Sequence, residues 1–133
     1  MGIADIAARA AKAAAIAKQI GELRIKISKA RLVKTDLKNC DTAISNTVMQ
    51  WTSRYSAFQS SPMSEVVVTD KFEGESAEAI RASLPKAIQT MNDTQQSAGD
   101  VQNEITVQIT KLDEYITMLE EQISALMSEA ASL

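Results

Sequence analysis

The sequence predicts an all-α fold in which two long antiparallel helices form a helical hairpin. Three observations lead there. Apolar residues recur at steps of three and four along two long stretches, the period of a helix stripe. Only four Gly and two Pro punctuate 133 residues, which leaves room for very few turns. Hydrophobic residues make up 45% of the chain but aromatics only 4%, so the apolar content is mainly Ala, Ile, Leu, Val and Met. Small and aliphatic side chains of this kind interlock in helix–helix seams. The length fits a single domain over 1–133.

Helix one is expected at about 3–59. Its stripe runs Ile16, Ile20, Leu23, Ile27, Ala30, Val33, Leu37, Cys40, Ile44, Val48, Trp51, Tyr55 and Phe58. Ile3, Ile6, Ala10 and Ala13 extend it upstream in weaker form. The Ala-rich start favours helix by propensity but buries little area. Cys40 falls on the stripe and reads as a small core residue, since free cysteine is commonly buried. It has no second cysteine with which to form an internal disulfide.

Helix two is expected at about 76–131. Ala77, Ile80, Leu84, Ala87, Met91, Thr94, Ala98, Val101, Ile105, Gln108 and Leu112 continue into Ile116, Leu119, Ile123, Leu126, Ala130 and Leu133. Pro85 sits inside this stretch, where it removes a backbone hydrogen bond and crowds the preceding turn. A kink or break near Leu84 is therefore expected. Gly21 and Gly99 are lesser flaws.

An irregular loop at about 60–75 joins the two. Pro62 stops helix one. Val66–Val67–Val68 is β-branched and reads as extended, with no partner strand in the chain. Asp70 with Glu73 has the spacing of a capping box, and Ser76 is a second candidate cap for helix two.

Charge divides the chain. Residues 1–60 hold ten Lys/Arg and four Asp/Glu, and residues 61–133 hold four and thirteen. Complementary flanks help choose partner and orientation in paired helices. Folding symmetrically about the loop places Lys26–Lys38 opposite Gln95–Gln108, with the acidic cluster Asp113–Glu129 near residues 1–25. Phosphate binding is not expected, because the acidic half cancels the field it needs and no aromatic residue lies among the basic ones to stack on bases. No stretch is apolar enough for stable membrane insertion, and none resembles a cleaved signal peptide.

Catalysis is not expected either. The chain has no His, the commonest general base and metal ligand. Asp113–Glu114 and Glu120–Glu121 are adjacent pairs, which diverge on a helix. No metal or cofactor is expected.

A lone two-helix rod buries one stripe per helix and is marginal by itself, and helices from a partner complete a bundle. Val107, Leu112, Tyr115, Met118 and Leu119 are the candidate partner interface; the same residues equally suit a wider hairpin seam.

Phe72-x-Gly74 sits between the helices and is followed by Glu75-Ser76-Ala77-Glu78-Ala79-Ile80. Long helix, aromatic-x-Gly and second long helix together resemble the WXG-type proteins of bacterial type VII (ESX-like) secretion, with Phe72 in the tryptophan's place. Greater length and the Ala-rich start make the chain more similar to the small helical proteins encoded beside LXG-domain toxins. The resemblance implies an accessory protein that binds the helical N-terminal domain of such a toxin, alone or with a second small helical protein, and helps target it for export. It implies a bacterial cytoplasmic protein that is itself either retained or co-exported. Phe72 and Gly74 would form the turn at the bundle's end. An aromatic-x-x-x-acid export signal has no full match: Tyr115 is followed by Leu119, and Glu120 comes one place late.

Two other readings remain at this level. A self-assembling coiled-coil or appendage protein would form homodimers or larger assemblies without a partner. A membrane-active N-terminal helix is disfavoured because Ile3, Ile6, Ile16 and Ile20 lack an aromatic anchor.

Overall fold

The computed structural model describes residues 2–60 and 74–133, with the side chains of 75–77 left aside. Two helices make up the fold, α1 over Ile3–Gln59 and α2 over Glu75–Ala131. They pack against each other as an antiparallel helical hairpin, and no strand occurs among the described residues. No helix is long and apolar enough to cross a membrane, among those residues. Pro62, Val66–Val68, Asp70, Phe72 and Glu73, for which the sequence gives expectations, lie outside the described residues.

The helix starts follow from local hydrogen bonding. The Gly2 carbonyl accepts from the amides of Asp5 at 3.1 Å and Ile6 at 3.2 Å, and Asp5 Oδ2 accepts from the Gly2 amide at 3.4 Å. The carboxylate contact is one half of a capping box, and the carbonyl accepts the first main-chain bonds of the helix. At α2 the Gly74 carbonyl accepts from the Glu78 amide at 3.0 Å, so Gly74 itself is the capping position. Ser76, a candidate cap, instead lies inside the helix. Gly74 has φ +115°, a region that side-chain-bearing residues rarely adopt, and nothing crowds it within 4 Å. Its requirement is conformational and does not come from a close backbone approach.

Pro85 is accommodated differently from one of the two outcomes expected of it. The helix does not break: α2 runs through Pro85 without interruption. Leu84, Ala87, Ile88 and Met91 lie beside α1 here, and tertiary packing of this kind supplies most of a helix's stability in a protein.

Packing divides the chain into two compact units, one of Met1–Lys38 with Thr106–Leu133 and the other of Asn39–Ile105. In the first unit, Ile27, Ala30, Ile116, Leu119 and Ile123 form a buried cluster, with Ile20, Leu23 and Leu112 packed against it. Arg31 Nη2 donates to Glu120 Oε1 at 3.1 Å, and Lys34 Nζ meets Asp113 Oδ1. In the second unit Ile105 is buried, while Ile44, Val48, Tyr55, Phe58, Leu84, Ile88 and Met91 are half-buried. Polar groups complete that seam. Gln102 Nε2 donates to Ser45 Oγ at 2.7 Å and to the Asp41 carbonyl at 3.4 Å, and Gln95 Nε2 donates to Thr52 Oγ1 at 3.1 Å.

These pairs correct the expected register. Arg31 and Lys34, in the middle of the basic run, pair with Glu120 and Asp113, not with residues of Gln95–Gln108. A fold symmetric about the loop would bring Arg31 opposite Asn103, whereas opposite charges and the best-matched apolar layers meet further along α2. One consequence is that residues 2–15 extend past the end of α2 and are all exposed.

The seam also follows a stricter spacing than apolarity alone suggests. On α1 the buried and half-buried positions are 16, 20, 23, 27, 30, 34, 37, 41, 44, 48, 55 and 58, with Trp51 at the margin and Ser45 half-buried beside the seam. On α2 they include 84, 88, 91, 95, 98, 102, 105, 109, 112, 116, 119, 123, 126 and 130. Steps of three and four alternate without a fault, the 3.5-residue repeat that keeps one stripe facing its partner. Lys34 and Asp41 therefore occupy seam positions, while Val33 and Cys40, expected there, stand one place off it and are exposed. Likewise Gln95 and Gln102 replace Thr94 and Val101, and Ile88 replaces Ala87.

Leu119 is 3% exposed, so Leu119→Ala is expected to lower the unfolding free energy by about 2–5 kcal/mol through lost transfer energy and the cavity left behind, measured by urea titration of the helical circular dichroism signal. Pro85→Ala is expected to raise the thermal midpoint, with a gain of up to about 3 kcal/mol, because the helix already passes through that position.

Candidate helix-docking edge

Two flanking rows border the seam of a paired helix, the e and g positions of the heptad when the seam is a and d. In this register the e row of α1 contains Arg31, Lys38, Ser45 and Thr52, and that of α2 contains Asp113 and Glu120. The interhelical ion pairs and the hydrogen bonds at Ser45 and Thr52 engage this row. Thr52 also donates to the Val48 carbonyl at 2.9 Å, which fixes the hydroxyl that Gln95 uses as acceptor. In each unit this row contributes polar contacts across the seam.

The g row is different in each unit. In the first, Val33 and Tyr115, 48% and 37% exposed, share it with Gln19, Lys26, Gln108, Gln122 and Glu129, and Met118, 45% exposed, lies one turn beyond Tyr115 on α2. A cleft of about 440 Å³ lies on the same side, lined by Gln19, Glu22, Leu23, Lys26, Gln122, Ala125 and Leu126. In the second, the row holds Cys40, Thr47, Arg54, Ala87, Thr94 and Val101. Two open clefts lie there. One, of about 290 Å³, is lined by Ala43, Ile44, Thr47, Val48, Trp51, Thr94, Gln95 and Ala98. The other, of about 270 Å³, is lined by Arg54, Tyr55, Phe58, Leu84, Ala87, Ile88 and Met91. Their walls are aliphatic and aromatic carbon with small Ala and Thr residues between, a surface that lets a helix approach closely. Only Arg54 is charged among these lining residues.

The five interface residues expected from sequence do not form one row. Tyr115 and Met118 lie on the apolar edge or beside it. Val107 is exposed on the outer face of α2, away from the seam. Leu112 and Leu119 belong to the hairpin's own core and are not available to a partner. They follow the a/d spacing that pairs α1 with α2, so the intrachain seam claims them. Gly74 is the cap of α2, as above, and Phe72 lies outside the described residues. Val33 and Val101, expected in the seam, stand one place off the strict repeat and belong to the edge, whereas Trp51 keeps its seam position and is 36% exposed there.

Cys40 is an exposed residue on this edge, contrary to the core position expected for it. Its thiol is expected to react stoichiometrically with an aromatic disulfide reagent in native buffer, at a rate within about tenfold of that in denaturant. A protected thiol released only on unfolding would contradict the register.

No family model, curated protein or solved structure matches this chain.

Proposed function

We propose that the chain is a small non-enzymatic accessory protein that binds the helical N-terminal domain of an LXG-type toxin and promotes its type VII secretion. The observation that carries this reading is the unequal pair of hairpin edges. In the first unit one edge carries ion pairs; in the second, one edge carries side-chain hydrogen bonds and the opposite edge of that unit offers open apolar clefts. Each unit by itself offers a helix exposed apolar residues to bury, Val33, Tyr115 and Met118 in the first and Trp51 and Val101 in the second, and a helix pair completes a bundle. The aromatic-x-Gly element at Phe72–Gly74 and the two-helix architecture support the choice of partner. In this reading the complex assembles in the bacterial cytoplasm, where a second small helical protein can share the toxin domain.

Co-expression with such a toxin domain is the test. A stable complex is expected, and Tyr115→Glu or Val101→Glu is expected to weaken it by about tenfold or more, since a charge placed in an apolar contact is poorly solvated. Both residues are exposed, so the hairpin's own helicity should be unchanged. A wild-type hairpin that ignores the toxin domain would contradict the function. Full binding by both variants would contradict the edge.

The same edge supports a second reading. In the second unit its described residues carry one charge, Arg54, so two hairpins can cover each other's clefts there. Sedimentation over a range of concentrations separates the two: assembly without partner that the toxin domain cannot compete away favours a self-assembling coiled-coil protein.

A further inference from the structure

We infer that the unit of Asn39–Ile105 is built to open while the unit of Met1–Lys38 with Thr106–Leu133 stays closed. The two seams are made of different materials. The closed unit buries Ile16, Ile27, Ala30, Ile116, Leu119 and Ile123, whereas Ile105 is the one buried apolar residue of the other unit among the described residues. At the seam positions where the first unit sets Leu against Ile, the second uses Gln95 and Gln102. Their hydrogen bonds to Thr52, Ser45 and the Asp41 carbonyl fix the register, but water can replace each of them at small net cost. Buried aliphatic area has no such substitute.

The backbone of α2 adds to the contrast. Pro85 and Gly99 both lie in the second unit's part of this helix. Each lowers the helix's own stability, so that part depends on its seam. A polar seam beside a weakened helix gives a segment that separates as a unit, which is how low-stability regions of a fold behave. Opening uncovers Ile44, Val48, Phe58 and Met91, the half-buried apolar residues of that seam. Their use by an incoming helix rests on the function proposed above. The opening itself does not, and it is measured on the chain alone.

Hydrogen–deuterium exchange of the full chain reads it. Amides over 84–102 are expected to exchange at least about tenfold faster than those over 109–126. Gln102→Leu is expected to slow the first set and leave the second within about twofold. Ser45→Ala, which removes an acceptor, is expected to speed the first set alone and keeps the test open where Gln102→Leu alters assembly. Equal protection along α2, or variants that shift both sets together, would overturn the inference. Failure to bind a toxin domain, with the exchange pattern as expected, would count against the proposed function and leave this one standing.

Discussion

The fold depends on one constraint: two helices can stay in contact over many turns only when each returns a seam residue every 3.5 positions. Here the steps of three and four alternate without error from Ile16 to Phe58 on α1 and from Leu84 to Ala130 on α2. The repeat is kept even where the residue it selects is Lys34, Asp41, Gln95 or Gln102. Geometry outranks hydrophobicity at those positions, because moving the stripe by one residue would rotate every following side chain away from the partner helix. The polar residues so placed find partners across the seam, Lys34 with Asp113 and Gln102 with Ser45. They favour this register over neighbouring ones, a role for which polar seam residues are well suited.

Much of the architecture was legible in the residues. Both helices, their antiparallel pairing and their ends to within about a residue follow from periodicity and from the scarcity of Gly and Pro. The seam from Leu112 onward was legible because Ile116, Leu119, Ile123 and Leu126 combine the right spacing with the right chemistry. Elsewhere the nearest apolar residue misled. Val33 and Cys40 are one place from Lys34 and Asp41, and choosing them forces two successive steps of three and later two of four. On α2 the chosen stripe passes from Gln108 through Leu112 to Ile116 by two steps of four, the sign that it had left one flank and joined the seam. Those faults in alternation were the available signal. The register was harder to read, since it depends on pairing between distant segments and not on either helix alone.

The same misplacement concealed the candidate site. Once Val33, Cys40 and Val101 leave the seam, Val33 joins Tyr115 on a flank of the first unit and Cys40 and Val101 share a flank of the second, and each of these flanks has its own clefts. The other flank of the first unit carries the ion pairs. Exposed pairs such as Arg31–Glu120 contribute little to stability, but they occupy the edge on which they sit and leave apolar surface to the other. A hairpin of this kind stands between a folded monomer and half a bundle. Its buried cluster holds it together, and its apolar edge gives a reason to associate.

Cross-linking tests the register on which all of this stands. In a Cys40→Ser background, a short bismaleimide is expected to join Arg31→Cys to Glu120→Cys within one chain at high dilution, and to leave Arg31→Cys with Asn103→Cys unlinked. Efficient linkage of 31 to 103, with none to 120, would show the helices meeting in the loop-symmetric register, and the seam and both edges described here would be wrong.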